Sequence, residues 1–238
     1  MGILHKYAGR FAAAERAYRG ALALALTRRT PDVALLADLY HNLGGLEHAR
    51  RRFAAAEPLA RRAVELRTHA VGERHPAVAA DCAALAPILD ALGHSEAAEH
   101  LLRQVLQVLA PDHKDVAPAL NNLAAIRHRA GAPREAEQLY RRALALKQRQ
   151  HGPRHRELAP ALNNLATLLR EQGRAAEALP LYQRALQILE RSVEPDHPNL
   201  AICRANARAM LSTKSTSSDR AASTQPAQRV EQLRRAAG

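Results

Sequence analysis

Few residues in this chain invite a chemical reading. His151 and His155 stand four apart, a spacing at which two imidazoles on one helix face can share a metal ion. Gly152-Pro153 falls between them and argues for a loop instead, so no metal site is expected. Pro-Asp-His occurs at 111–113 and again at 195–197, and an Asp–His pair is the core of many general bases. The two copies recur at one phase of a longer pattern, however, as turn and helix-start chemistry does, whereas catalysis needs one dissimilar constellation. Phosphate-binding glycine loops, a nucleophile elbow and a zinc-protease helix motif are missing from the sequence. Cys82 and Cys203 sit among apolar neighbours and read as inert core thiols, too few for a disulfide framework. The expectation is a chain without catalysis, cofactor or metal.

The elements that carry these residues repeat. Aligned on a tight turn, Gly9-Arg10-Phe11, Arg51-Arg52-Phe53, Gly93-His94, Gly131-Ala132 and Gly173-Arg174 step by 42, 42, 38 and 42. His75, His113, His155 and His197 step by 38, 42 and 42, slipping by the same four residues in the same unit. After each turn, Ala14, Ala56, Ala98, Ala136 and Ala178 share a phase, with Ala21, Ala63, Val105, Ala143 and Ala185 seven residues on. That spacing puts them on one helix face, where alanine lets two backbones approach. A second amphipathic helix precedes each turn, clearest in Leu120-Asn121-Asn122-Leu123-Ala124 and Leu162-Asn163-Asn164-Leu165-Ala166. Pro87 falls inside the third of these first helices and is expected to kink or break it, at roughly 3 kcal/mol. With aromatics at 3%, no Trp and abundant Ala, Leu and Arg, composition favours helix throughout.

These features resemble the tetratricopeptide repeat, in the long 42-residue form found in kinesin light chains and many bacterial signalling proteins. The resemblance implies an all-α right-handed superhelix of about five helical hairpins, with units near 1–32, 33–74, 75–112, 113–154 and 155–196. A capping helix over 198–211 is expected to close it, with Arg204, Asn206 and Arg208 as polar positions. Residues 212–238, rich in Ser, Thr, Ala and Gln, read as a disordered tail. Met1 to Ala8 match only the end of a first helix, which suggests that the chain continues a longer protein. No coiled-coil heptads precede the repeats, which speaks against a motor-subunit role.

In the resembled family the first helices line a concave groove, and polar side chains before a Leu contact an extended peptide. Carried across residue by residue, the implied peptide-binding set is His41 and Asn42, Asn121 and Asn122, Asn163 and Asn164, and Asn206. One or two turns on, His48, His128, Arg129 and Arg170 join it. Ala83 and Ala84 interrupt the row in the third unit. A carboxamide offers both a donor and an acceptor to peptide backbone, and Arg or His then selects acidic side chains. The same Asn residues can alternatively bond between neighbouring first helices and hold the array together. Net charge is +12, of which the last 27 residues contribute +3, so an acidic partner is favoured. The pairs Arg28-Arg29, Arg51-Arg52, Arg61-Arg62 and Arg141-Arg142 raise nucleic-acid binding, but no aromatics interleave them for base stacking. The expectation is a cytoplasmic protein-interaction scaffold for an acidic peptide, with no membrane contact. Its alternative is the regulatory repeat region of a larger, NTPase-linked signalling protein.

Overall fold

The computed structural model describes residues 11–192 and 200–209. The first-helix remnant at Met1–Ala8, the second Pro-Asp-His group with His197, and the tail 212–238 lie outside the described residues. The fold is all-α, in helical hairpins: α1 (Phe11–Leu26), α2 (Val33–Ala49), α3 (Phe53–Val71), α4 (Pro76–Ala91), α5 (Ser95–Val108), α6 (Val116–Arg129), α7 (Pro133–His151), a 3-10 turn (Arg156–Leu158), α8 (Ala159–Glu171), α9 (Ala175–Glu190) and α10 (200–209). The chain divides into two compact units, Met1–Leu146 and Lys147–Gly238.

In the first unit, α1 to α6 pack as sequential neighbours, and first helices also meet one another, α2 with α4 and α4 with α6. Alanine makes that spacing possible. Ala14, Ala56, Ala98 and Ala136, the phase-matched alanines of the second helices, are fully buried, as is Ala178 in the other unit. Tyr18, Tyr140 and Tyr182 are buried four residues further on and fill the width that alanine leaves open.

The turns between first and second helices share one closing motif. The amides of Arg52, His94, Ala132 and Arg174 reach back to the carbonyls of Glu47, Leu89, Arg127 and Leu169, each at 2.9 Å. Such a closure needs a left-handed residue just before. Gly93, Gly131 and Gly173 supply it, while in the second hairpin Arg51 is held at φ 60°. The histidine marker has a physical origin as well. Nδ1 of His75, His113 and His155 accepts from the backbone N–H two residues on, at 3.1, 3.3 and 3.4 Å, where helical amides lack acceptors.

Pro87 does not break its helix: α4 runs continuously from Pro76 to Ala91. The neighbours of Pro87 explain why. Leu85, Ala86, Ile88 and Leu89 are all buried, and roughly 1.5–3 kcal/mol per large apolar side chain outweighs one lost hydrogen bond. The four residues missing from the third unit come off the end of its second helix, 14 residues in α5 against 19 in α3 and 19 in α7. Pro58 and Pro180, which the sequence reading passed over, lie inside α3 and α9.

Candidate functional site

The first helices carry the polar residues of interest at recurring phases, and the structure gives these residues three different fates. The first is commitment to the scaffold. His41 Nδ1 lies 2.6 Å from Asp81 Oδ1, Arg67 Nε donates to the other oxygen at 2.9 Å, and Arg67 Nη2 reaches Asp38 at 2.6 Å. This network ties α2, α3 and α4 together around a buried carboxylate. Burial pulls Arg67 down, but its bonds to Asp38 and Asp81 win, so its net shift is upward. Asn42 donates to the carbonyl of Asp38 at 2.7 Å and accepts from Tyr18 at 3.5 Å.

Within the second unit, Asn163 accepts from Asn206 Nδ2 at 2.9 Å, and the Cys203 thiol lies at 3.7 Å. By repeat phase Cys203 is the counterpart of Asp81, and Asn163 of His41. The seam α2/α4 and the seam α8/α10 are therefore each closed by a side chain from the same register position.

A second group has local partners. The Arg129 guanidinium binds both carboxylate oxygens of Asp90, Arg170 lies 3.7 Å from Glu171, and the His48 ring tilts over Phe53 at a centroid distance of 5.6 Å. Asn121, His128 and Asn164 are half-buried and engaged in contacts of their own. The third fate belongs to Asn122. It is half-buried, its carboxamide bonds to no described residue, and it lines a small hollow with Pro87, Asp90 and Ala125.

The sequence reading missed Asp81 and Arg67. A signal was present, since Asp81 occupies the phase that holds Leu39, Ala119, Ala161 and Cys203 in the other units. Charge at a core phase calls for a partner. Burial, with the charges of Asp81 and Glu73 behind it, pushes the neighbouring Cys82 thiol up to about 11. His151 and His155 do stack, at 4.6 Å between centroids, and His151 lies 3.7 Å from Glu157. Even so, among the described residues no group of three or more His, Cys, Asp or Glu could hold a metal ion. No described helix is long and apolar enough to cross a membrane.

A family model described as tetratricopeptide repeat matches residues 35–110, 106–149, 115–191 and 157–207. The chain belongs to the tetratricopeptide repeat family. Repeats of this family generally mediate protein–protein interaction, and its scaffolds are generally non-catalytic. No curated protein matches the chain. Among solved structures, BtubC (BKLC) from P. vanneervenii is similar at 24% identity and a TM-score of 0.67, over 93% of this chain and 89% of that one. A Podosopora anserina protein with nearly identical TPR-like repeats, named after the kinesin light chain, is similar at 19% identity and a TM-score of 0.60, over 80% and 92%. A point variant of that Podosopora anserina protein gives 21% and 0.59, over 85% and 94%. At this identity the likeness establishes the shared tetratricopeptide solenoid fold.

Proposed function

We propose that this tetratricopeptide repeat chain is a non-catalytic scaffold that holds an extended, acidic peptide along the exposed face of its first helices. The observation that carries the reading is the recurrence of half-buried carboxamides on the first helices, that of Asn122 bonded to no described residue. Asn42, Asn121 and Asn122 lie on α2 and α6, which pack on either side of α4. Within residues 147–209, Asn164 and Asn206 repeat the chemistry. An extended strand leaves its own N–H and C=O groups unpaired, and a carboxamide meets either. At about 1 kcal/mol net per hydrogen bond, micromolar or weaker affinity is the expectation.

Acid selection rests on His48, His128, Arg129 and Arg170 against a background of +12. The Arg129 contacts to Asp90 use Nη2 alone, so Nε and Nη1 can take a second carboxylate. Two free thiols fit a reducing, cytoplasmic setting.

Fluorescence anisotropy with a labelled Glu/Ala dodecapeptide, its Lys/Ala counterpart and a single-stranded oligonucleotide tests this. Micromolar binding of the acidic peptide alone is expected, with loss in the Asn122→Ala variant at unchanged Tm. Equal binding of both peptides, or oligonucleotide binding that falls steeply with salt, overturns the reading.

A further inference from the structure

The last turns of α1 expose an apolar surface that the other second helices cover. Ala63, Val105, Ala143 and Ala185 are buried in α3, α5, α7 and α9, whereas Ala21, at the same phase of α1, is exposed. Leu24 is 72% exposed, while at its phase Leu66 and Val108 are half-buried and Leu146 and Ile188 are buried. α2 follows α1 and packs on it as α4 packs on α3, so the difference lies with the first helix of the same hairpin. The hairpin of α2 and α3 shows what that partner covers. A Cβ on Gly44 would stand 3.1 Å from the backbone N of Ala60, so these two positions face each other across the hairpin. Moved back by the 42-residue period, the facing pair is Gly2 and Tyr18, and the positions opposite Ala21 and Leu24 precede Met1. The repeat pattern thus assigns no residue of this sequence to cover the end of α1.

Charge says what can cover it. Arg28 and Arg29 follow α1 directly, are exposed, and pair with no described carboxylate. A helix lying antiparallel to α1 begins at that end. Acidic residues in its first turn are favoured both by its own dipole and by these two guanidinium groups. A second copy of the chain is a poor match, because two chains of +12 repel each other. Its last described first helix, α10, also places Arg204 and Arg208 where α8 has the buried Leu162 and Ala166. We propose that the end of α1 docks an amphipathic helix of a partner chain, apolar toward Ala21 and Leu24 and acidic in its first turn, which completes the opening hairpin. This surface lies apart from the carboxamides of the first helices, and the proposal does not rest on the peptide-scaffold reading above.

The fold's own first helix serves as the probe. A fluorescein-labelled peptide with the sequence from Asp32 to Leu43 is one period removed from the uncovered positions and carries an acidic start. It is titrated with the full chain and followed by anisotropy. Half-saturation is expected on the order of 100 µM, with the Asp32→Lys/Asp38→Lys version of the peptide bound roughly tenfold more weakly. In the chain, Leu24→Gln and Ala21→Gln alter exposed positions, and each is expected to weaken capture roughly tenfold at unchanged Tm. Asn122→Ala is expected to leave capture of this peptide as it is, which separates the α1 surface from the carboxamide face. Absence of binding at millimolar chain, equal binding of the Lys version, or undiminished capture by both Gln variants each overturn the proposal. So does sedimentation showing that the chain alone forms a dimer which Leu24→Gln dissociates, since a second copy then covers the face.

Discussion

Residue type and residue role separate most sharply in the carboxamides. Asn122 and Asn206 stand at one phase of the repeat, yet one is unspent and the other fastens α10 to α8. The difference lies about one repeat away, in whether the partner position holds a polar side chain, and a reading of one helix at a time does not reach that far. Asn163→Ala is expected to lower stability by about 1 kcal/mol, because Asn206 loses its acceptor; urea denaturation measures it. Asp81 poses a larger stake. Replacing it with Ala strands His41 and the second arm of Arg67 against a buried surface, and about 3 kcal/mol should be lost. Beside it, the Cys82 thiol at about 11 is almost wholly protonated at neutral pH. Iodoacetamide is therefore expected to modify Cys82 far more slowly than glutathione at about pH 8, and labelling at glutathione-like rates would contradict its placement.

Helices and turns were the most legible level. Two markers slipping together located the short unit, and alanine at fixed phase located the packed face; both are written in local spacing, which sequence displays directly. Pro87 was misjudged because its cost is local, while the burial of Ile88 and Leu89 that offsets it comes from neighbouring helices. The turn alignment carried more than it first gave. Arg51 falls in register with Gly93, Gly131 and Gly173, and at φ 60° it occupies a backbone region that costs an ordinary residue about 1–2 kcal/mol. Arg51→Gly removes that strain at the expense of some chain entropy and the Arg51–Phe53 ring contact. A net gain of about 0.5–1 kcal/mol is expected, read as a higher urea midpoint. No gain, or a loss, would mean that the contact with Phe53 matters more than the strain.

Across the whole chain, ion pairs between consecutive elements set the response to acid. Glu15 is held below the usual carboxylate range by Arg50 and Arg19. Burial raises Glu135, but Arg127 and Arg103 lower it further, and Lys147 lowers Glu157 against burial. Each of these carboxylates joins separate elements: α1 to the turn after α2, α7 to α5 and α6, and the 3-10 turn to α7. A lowered folded-state value means that the stabilisation is present above the unfolded value near 4.5 and is lost as pH falls through the folded one. Thermal stability should therefore stay level from neutral pH to about pH 5 and then drop. Two causes compete for that drop, because a chain already at +12 also gains repulsion as its carboxylates protonate. Glu135→Gln separates them. It removes one carboxylate whose partners are Arg103 and Arg127, so the variant should start from a lower Tm at about pH 7 and lose less on acidification. If generalised repulsion governs instead, the variant's curve runs parallel to the wild type's, and about 0.5 M salt abolishes the acid limb in both.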